Sequence, residues 1–112
     1  MCTETQLNRI TKAMVDCYRV VYGEDVFEIV LYGSYARGNY TEESDIDIVA
    51  VVHGSRIELQ EKLKAVWDVS AELGLENDVI VSPTVIPYDE FMKYKQSLPY
   101  YRNIAEEGQK IG

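Results

Sequence analysis

Apolar positions follow two periods along the chain, and the places where the period changes mark the elements. Leu7, Ile10, Met14, Cys17 and Val21 recur at the spacing of one helical face. Thr3-Glu-Thr-Gln6 ahead of them fits a capping box, and Gly23 predicts the stop. Residues 26–32, Val-Phe-Glu-Ile-Val-Leu-Tyr, are β-branched and aromatic and break at Gly33, as a buried strand does. Residues 45–53 repeat that composition after the polar loop 38–44. Ser55-Arg-Ile-Glu58 is a second capping box. Leu59, Leu63, Val66, Ser70 and Leu73 then share a helical face, with Trp67 beside them to pack on a sheet and Gly74 as the stop. Residues 78–86 predict a third strand, which Pro83 confines to a sheet edge or a bulge because it lacks an N–H. Asp89 can cap a short helix carrying Phe91, Met92 and Tyr94, and residues 98–108 form a last helix with Pro99 near its start.

A strand, a crossover helix and a returning strand make this an α/β (α+β) chain: a small mixed sheet packed with helices. At 112 residues it is expected to be one domain, 1–112, with one modest core. Charge narrows the function. There are 19 acidic against 11 basic residues, a net charge of −8, and the basic ones are scattered. Such a surface repels a nucleic-acid backbone, so binding of long DNA or RNA is not expected. No apolar run approaches a membrane span and the N-terminus does not read as a signal peptide, which makes a cytoplasmic location the expectation. Cys2 and Cys17 are too few for a disulfide frame or a zinc site; Cys17 reads as core and Cys2 as a free terminal thiol.

The chemistry concentrates between the first two strands. Asp45 and Asp47 point to the same side of a strand, whereas Ile46 and Ile48 point to the other. Two carboxylates at the mouth of an apolar strand repel one another unless a cation lies between them. Magnesium with phosphate oxygens is the usual solution. Gly33-Ser34 can offer backbone N–H groups and a hydroxyl to a phosphate, since glycine allows close approach. Residues 34–37 read as a helical turn opening toward that ligand.

Gly33-Ser34, ten residues, then Asp45-x-Asp47 resembles the nucleotidyltransferase superfamily typified by DNA polymerase β. Gly-Ser-Tyr-Ala-Arg-Gly with Ser-Asp-Ile-Asp is similar to its smallest members, the minimal nucleotidyltransferases (MNT), often antitoxins of HEPN/MNT toxin–antitoxin pairs. The sharp motif covers residues 33–47, and the order of elements fits from Leu7 to about Gly108. The resemblance implies the polymerase β-like nucleotidyltransferase fold. It also implies ATP held over Gly33 and Ser34, Mg2+ on Asp45 and Asp47, and AMP passed to a hydroxyl acceptor. Family members carry a third carboxylate on the strand after the crossover helix, as metal ligand or general base, and Asp78 is the acid available for that part. Beside Asn77 it also reads as a turn residue.

Other candidates keep two readings each. Arg37 contacts phosphate or braces the acidic pair, or it forms a structural ion pair that ties down the connector. Ser44 orients a carboxylate or ends the loop. His53, the only histidine, lies roughly 20 Å or more from Asp45 at strand rise, too far to serve as its base. Tyr88, Tyr94, Tyr100 and Tyr101 cap the core or face a partner. A chain this short leaves no room for an acceptor domain. The resemblance therefore implies a protein acceptor, a tyrosine of a HEPN toxin. A non-catalytic antitoxin that neutralises its partner by binding is the alternative, and a homodimeric small-molecule nucleotidyltransferase is a third.

Overall fold

The computed structural model describes residues 3–112; Cys2 lies outside them. Helix α1, Glu4–Tyr22, opens with a complete capping box: Gln6 N–H donates to the Thr3 hydroxyl at 3.1 Å and Thr3 N–H to the Gln6 side chain at 2.9 Å. Gly23, at φ 62, ends it, and a 3-10 turn, Gly23–Asp25, leads into β1, Val26–Tyr32. A four-residue helix α2, Ser34–Arg37, and a polar connector precede β2, Ile46–Val52. Then come α3, Arg56–Asn77; β3, Val81–Pro87; α4, Tyr88–Tyr94; α5, Pro99–Glu107; and β4, Gln109–Lys110.

The sheet order is β3-β2-β1-β4, with β1 antiparallel to both β2 and β4, and β2 parallel to β3. The expected mixed sheet is present, and Pro83 lies in an edge strand, where its missing N–H costs least. One face packs against α1 and α3 through Ile10, Met14, Tyr18, Leu59, Leu63 and Val66 over Ile29, Leu31, Ile46, Ile48 and Val85. The opposite face has a smaller core, Val30, Val49, Val51 and Ile86 under Phe91 of α4 and Ile104 of α5. Asp47 belongs to this second face, because side chains alternate along β2.

Packing departs from the periodic reading in four places. Tyr18 and Tyr22 are the buried positions of α1's second half, while Cys17 and Val21 are only partly buried. Their hydroxyls reach backbone carbonyls, Tyr22 at Leu59 (2.7 Å) and Tyr18 at Ile48 (3.0 Å), which draws that side of the helix inward. Trp67 is 47% exposed and does not pack on the sheet. Gly74 lies inside α3 rather than at its end; a β-carbon there would stand 2.5 Å from the Val79 carbonyl, so glycine serves the returning chain. Finally, β3 starts at Val81, three residues after Asp78.

Candidate active site

The end of β1 and the start of β2 form the site. Their antiparallel register sets Tyr32 opposite Asp47. Gly33 follows at φ 78 and ψ −155, a conformation that side chains resist. A β-carbon on Gly33 would lie 2.6 Å from Asp47 Oδ2, so the carboxylate rests directly against the glycine backbone. The Gly33 carbonyl accepts from the N–H groups of Ala36 and Arg37, both at 3.1 Å, and this turns the chain into α2. Gly38, at φ 80, ends that helix.

Arg37 compensates the acidic pair only in part. Burial raises the Asp47 pKa above the ordinary carboxylate value, the charge of Asp45 adds to the rise, and Arg37 opposes it. Asp45 is exposed and Asp47 half-buried. Arg37 forms the structural ion pair, its guanidinium meeting Glu107 at 3.5 Å, and its charge is felt at Asp47. Two neighbouring carboxylates, one of them against a glycine backbone, with one arginine nearby, are a donor set suited to a hard divalent cation carrying phosphate. Ser44 behaves as a loop residue, its Oγ accepting from Thr41 N–H at 2.8 Å. Tyr35 stacks on Tyr40 with centroids 4.3 Å apart, bracing the connector.

Of the two readings of Asp78, the structure meets the turn residue, and the strand expected from residue 78 starts later. Asp78 is the left-handed cap of α3, at φ 52, and not a strand residue. The β3 residue paired with Asp47 is Ser82, and Thr84 pairs with Val49. The strand position expected to carry a third carboxylate therefore carries hydroxyls. Asp78 instead lines a groove of about 600 Å3 with Glu42, Glu43, Asp45, Leu75 and Ile80. Among the described residues, no three His, Cys, Asp or Glu side chains come close enough to hold a metal ion together. A metal here would rest on the Asp45–Asp47 pair.

Three contributors were not legible in the motif. Tyr32 is fixed opposite Asp47 only by strand register. Tyr100, from α5, meets Tyr32 edge to face with centroids 6.0 Å apart. Gln109 donates from Nε2 to the Ala36 carbonyl at 2.7 Å, anchoring α2 to the end of the chain. The aromatic-Gly-Ser run hinted at Tyr32; nothing local signals the other two. His53 lies at the far end of β2, stacked near Tyr88 with centroids 4.1 Å apart.

Comparison with known proteins agrees with this geometry. The nucleotidyltransferase domain family matches residues 9–111. A Methanocaldococcus jannaschii chain whose name proposes a protein adenylyltransferase is 34% identical over 100 residues, covering 89% of this chain and 92% of that one. A second from the same organism, similarly named, is 34% identical over 91 residues, covering 76% and 74%. Among solved structures, a toxin–antitoxin with AMP-PNP aligns at TM-score 0.54 and 19% identity, over 89% of this chain and 70% of that one. A variant of the toxin–antitoxin MntA–HpeT aligns at 0.54 and 17%, with the same coverage. These two likenesses speak to fold. Motif, topology and family match converge: the chain belongs to the nucleotidyltransferase domain family and is a nucleotidyltransferase.

Proposed function

We propose that the chain is a magnesium-dependent adenylyltransferase that moves AMP from ATP to a protein hydroxyl, a tyrosine of a partner HEPN toxin. The observation that carries this reading is the Asp47 carboxylate lodged against Gly33 with Asp45 beside it. The names of the Methanocaldococcus relatives support a protein acceptor. The HEPN partner rests on the Gly33-Ser34 and Asp45-x-Asp47 resemblance.

Asp45 and Asp47 would hold the ion, and Asp47 must be ionised to do so. Magnesium bound there supplies the positive charge that neutralises the triphosphate and polarises the α-phosphate. Gly33 and Ser34 cradle the phosphates through backbone N–H groups and the serine hydroxyl. Arg37 adds a positive charge at the same edge. The acceptor oxygen bonds to the α-phosphorus as the bond toward the β-phosphate breaks. Pyrophosphate leaves and the hydroxyl proton passes to water.

The test mixes the chain with labelled ATP, magnesium and the protein encoded by the neighbouring gene. Label should appear on a tyrosine of that neighbour and vanish with Asp45→Asn or Asp47→Asn. An unlabelled neighbour, with the variants indistinguishable from wild type, would sink the idea. Ser82 and Thr84 at the place of a third carboxylate favour a second reading, in which binding alone neutralises the partner. In that case the doubly substituted chain still protects cells from the toxin.

A further inference from the structure

Tyr100 is a nucleophilic side chain for which the reaction above has no use. It stands in the first turn of α5 and is 46% exposed. Its ring meets Tyr32 at 90°, and Tyr32 is the cross-strand neighbour of Asp47. Both strand residues project from the face that carries Val30 and Val49, so Tyr100 lies over the patch of sheet that holds the Asp47 carboxylate. The phenol senses that carboxylate. Burial first, then Tyr32 and Asp47, push its pKa up, while a hydrogen bond with Thr84 opposes them. Three tyrosine hydroxyls are bonded away from the site: Tyr18 and Tyr22 to backbone carbonyls, Tyr101 to Glu90 at 3.3 Å. Tyr32 is held on a central strand, whereas Tyr100 begins a nine-residue helix entered through an exposed turn.

We propose that Tyr100 is a self-modification site: with no other acceptor present, the chain transfers a nucleoside monophosphate to its own Tyr100 hydroxyl. This rests on nucleotide binding at Asp45 and Asp47 as read above. The Tyr100 Oη bonds to the α-phosphorus, the bond from that phosphorus to the oxygen bridging toward the β-phosphate breaks, and pyrophosphate departs. The phenolic proton goes to water, and no oxidant or reductant is involved. The product leaves a phosphodiester anion beside Asp47. Like-charge repulsion and simple occupancy then stop a second round, so the reaction ends at one nucleotide per chain.

The experiment incubates the full chain alone with ATP and magnesium and follows intact mass, with peptide mass spectrometry to locate the adduct. The expected result is a single nucleotide adduct on Tyr100, formed at a rate independent of protein concentration. It should be absent from Tyr100→Phe, which keeps the ring against Tyr32, and from Asp47→Asn; thermal unfolding verifies that both fold. An adduct on Tyr32 or any other residue, or none, overturns the proposal, and a rate that climbs with protein concentration overturns the intramolecular step. Calorimetry separates the two readings. Nucleotide uptake without an adduct removes self-modification alone, and no uptake removes both.

Discussion

At the scale of the residue, Gly33 and Asp47 form one unit. An L side chain at φ 78 and ψ −155 costs roughly 1–3 kcal/mol, and its β-carbon would displace Asp47 Oδ2. Gly33→Ala is therefore expected to lower the melting temperature and to abolish nucleotide uptake in calorimetry. Asp47 also sets a pH dependence. Its folded pKa is raised, so the folded chain holds the proton more tightly than the unfolded chain. That contribution to stability is present in acid and is lost as pH rises through the raised value. Asp47→Asn should melt higher than wild type at neutral pH, with the difference shrinking as pH falls through the carboxylate range. Equal melting at neutral pH would contradict this. A site residue that destabilises the free protein is the expected mark of a ligand-holding carboxylate. The Arg37–Glu107 pair matters less, because both partners are over 40% exposed and such pairs contribute about 1 kcal/mol or less.

At the scale of the element, the edge strand β3 is pinned beside the site by a helix. Ile48 of β2 is in register with Pro83, which has no N–H to give. The next donor, Thr84 N–H, meets the Tyr18 hydroxyl at 3.1 Å, and that hydroxyl is 3.0 Å from the Ile48 carbonyl and 2.9 Å from the Thr84 carbonyl. A side chain of α1 thus stands between two strands where a direct ladder bond would otherwise run. Burial holds the phenol far from ionising. Tyr18→Phe leaves the Thr84 N–H unpaired inside the protein and should cost about 1–3 kcal/mol in denaturant unfolding. At the other edge, β4 pairs Lys110 with Val30 and Gln109 with Leu31, and Gln109 also grips α2. Both edges therefore stabilise the two strand ends that carry the motif.

At the scale of the molecule, four of the 19 acidic residues, Glu42, Glu43, Asp45 and Asp78, line one groove that includes a member of the acidic pair, and the net charge of −8 repels a nucleic-acid backbone. Fluorescence anisotropy with duplex DNA or RNA at physiological salt should show no binding; saturable binding there would refute the charge argument. Among the described residues, no helix is long and apolar enough to cross a membrane. The second sheet face is covered by two short helices, and this leaves Tyr32, Asp47 and Tyr100 together at its open end.

Local signals carried much of this protein. The capping boxes, the strands around residues 26–32 and 46–52, the Gly33 break and the shared face of Asp45 and Asp47 follow from side-chain periodicity and backbone sterics, which act within a few residues. Pairing and packing decided the rest. Asp78 became a helix cap because α3 runs past Gly74, whose missing side chain lets the returning chain approach, and that outcome depends on residues distant from the motif. Trp67 stayed at the surface because the neighbouring Val66 faces the sheet. β4, two residues long, has no period to read. Tyr100 reached Tyr32, the cross-strand neighbour of Asp47, only through the way α5 docks on the sheet, since a phenol finds its neighbours by where its helix docks and not by its position in the chain.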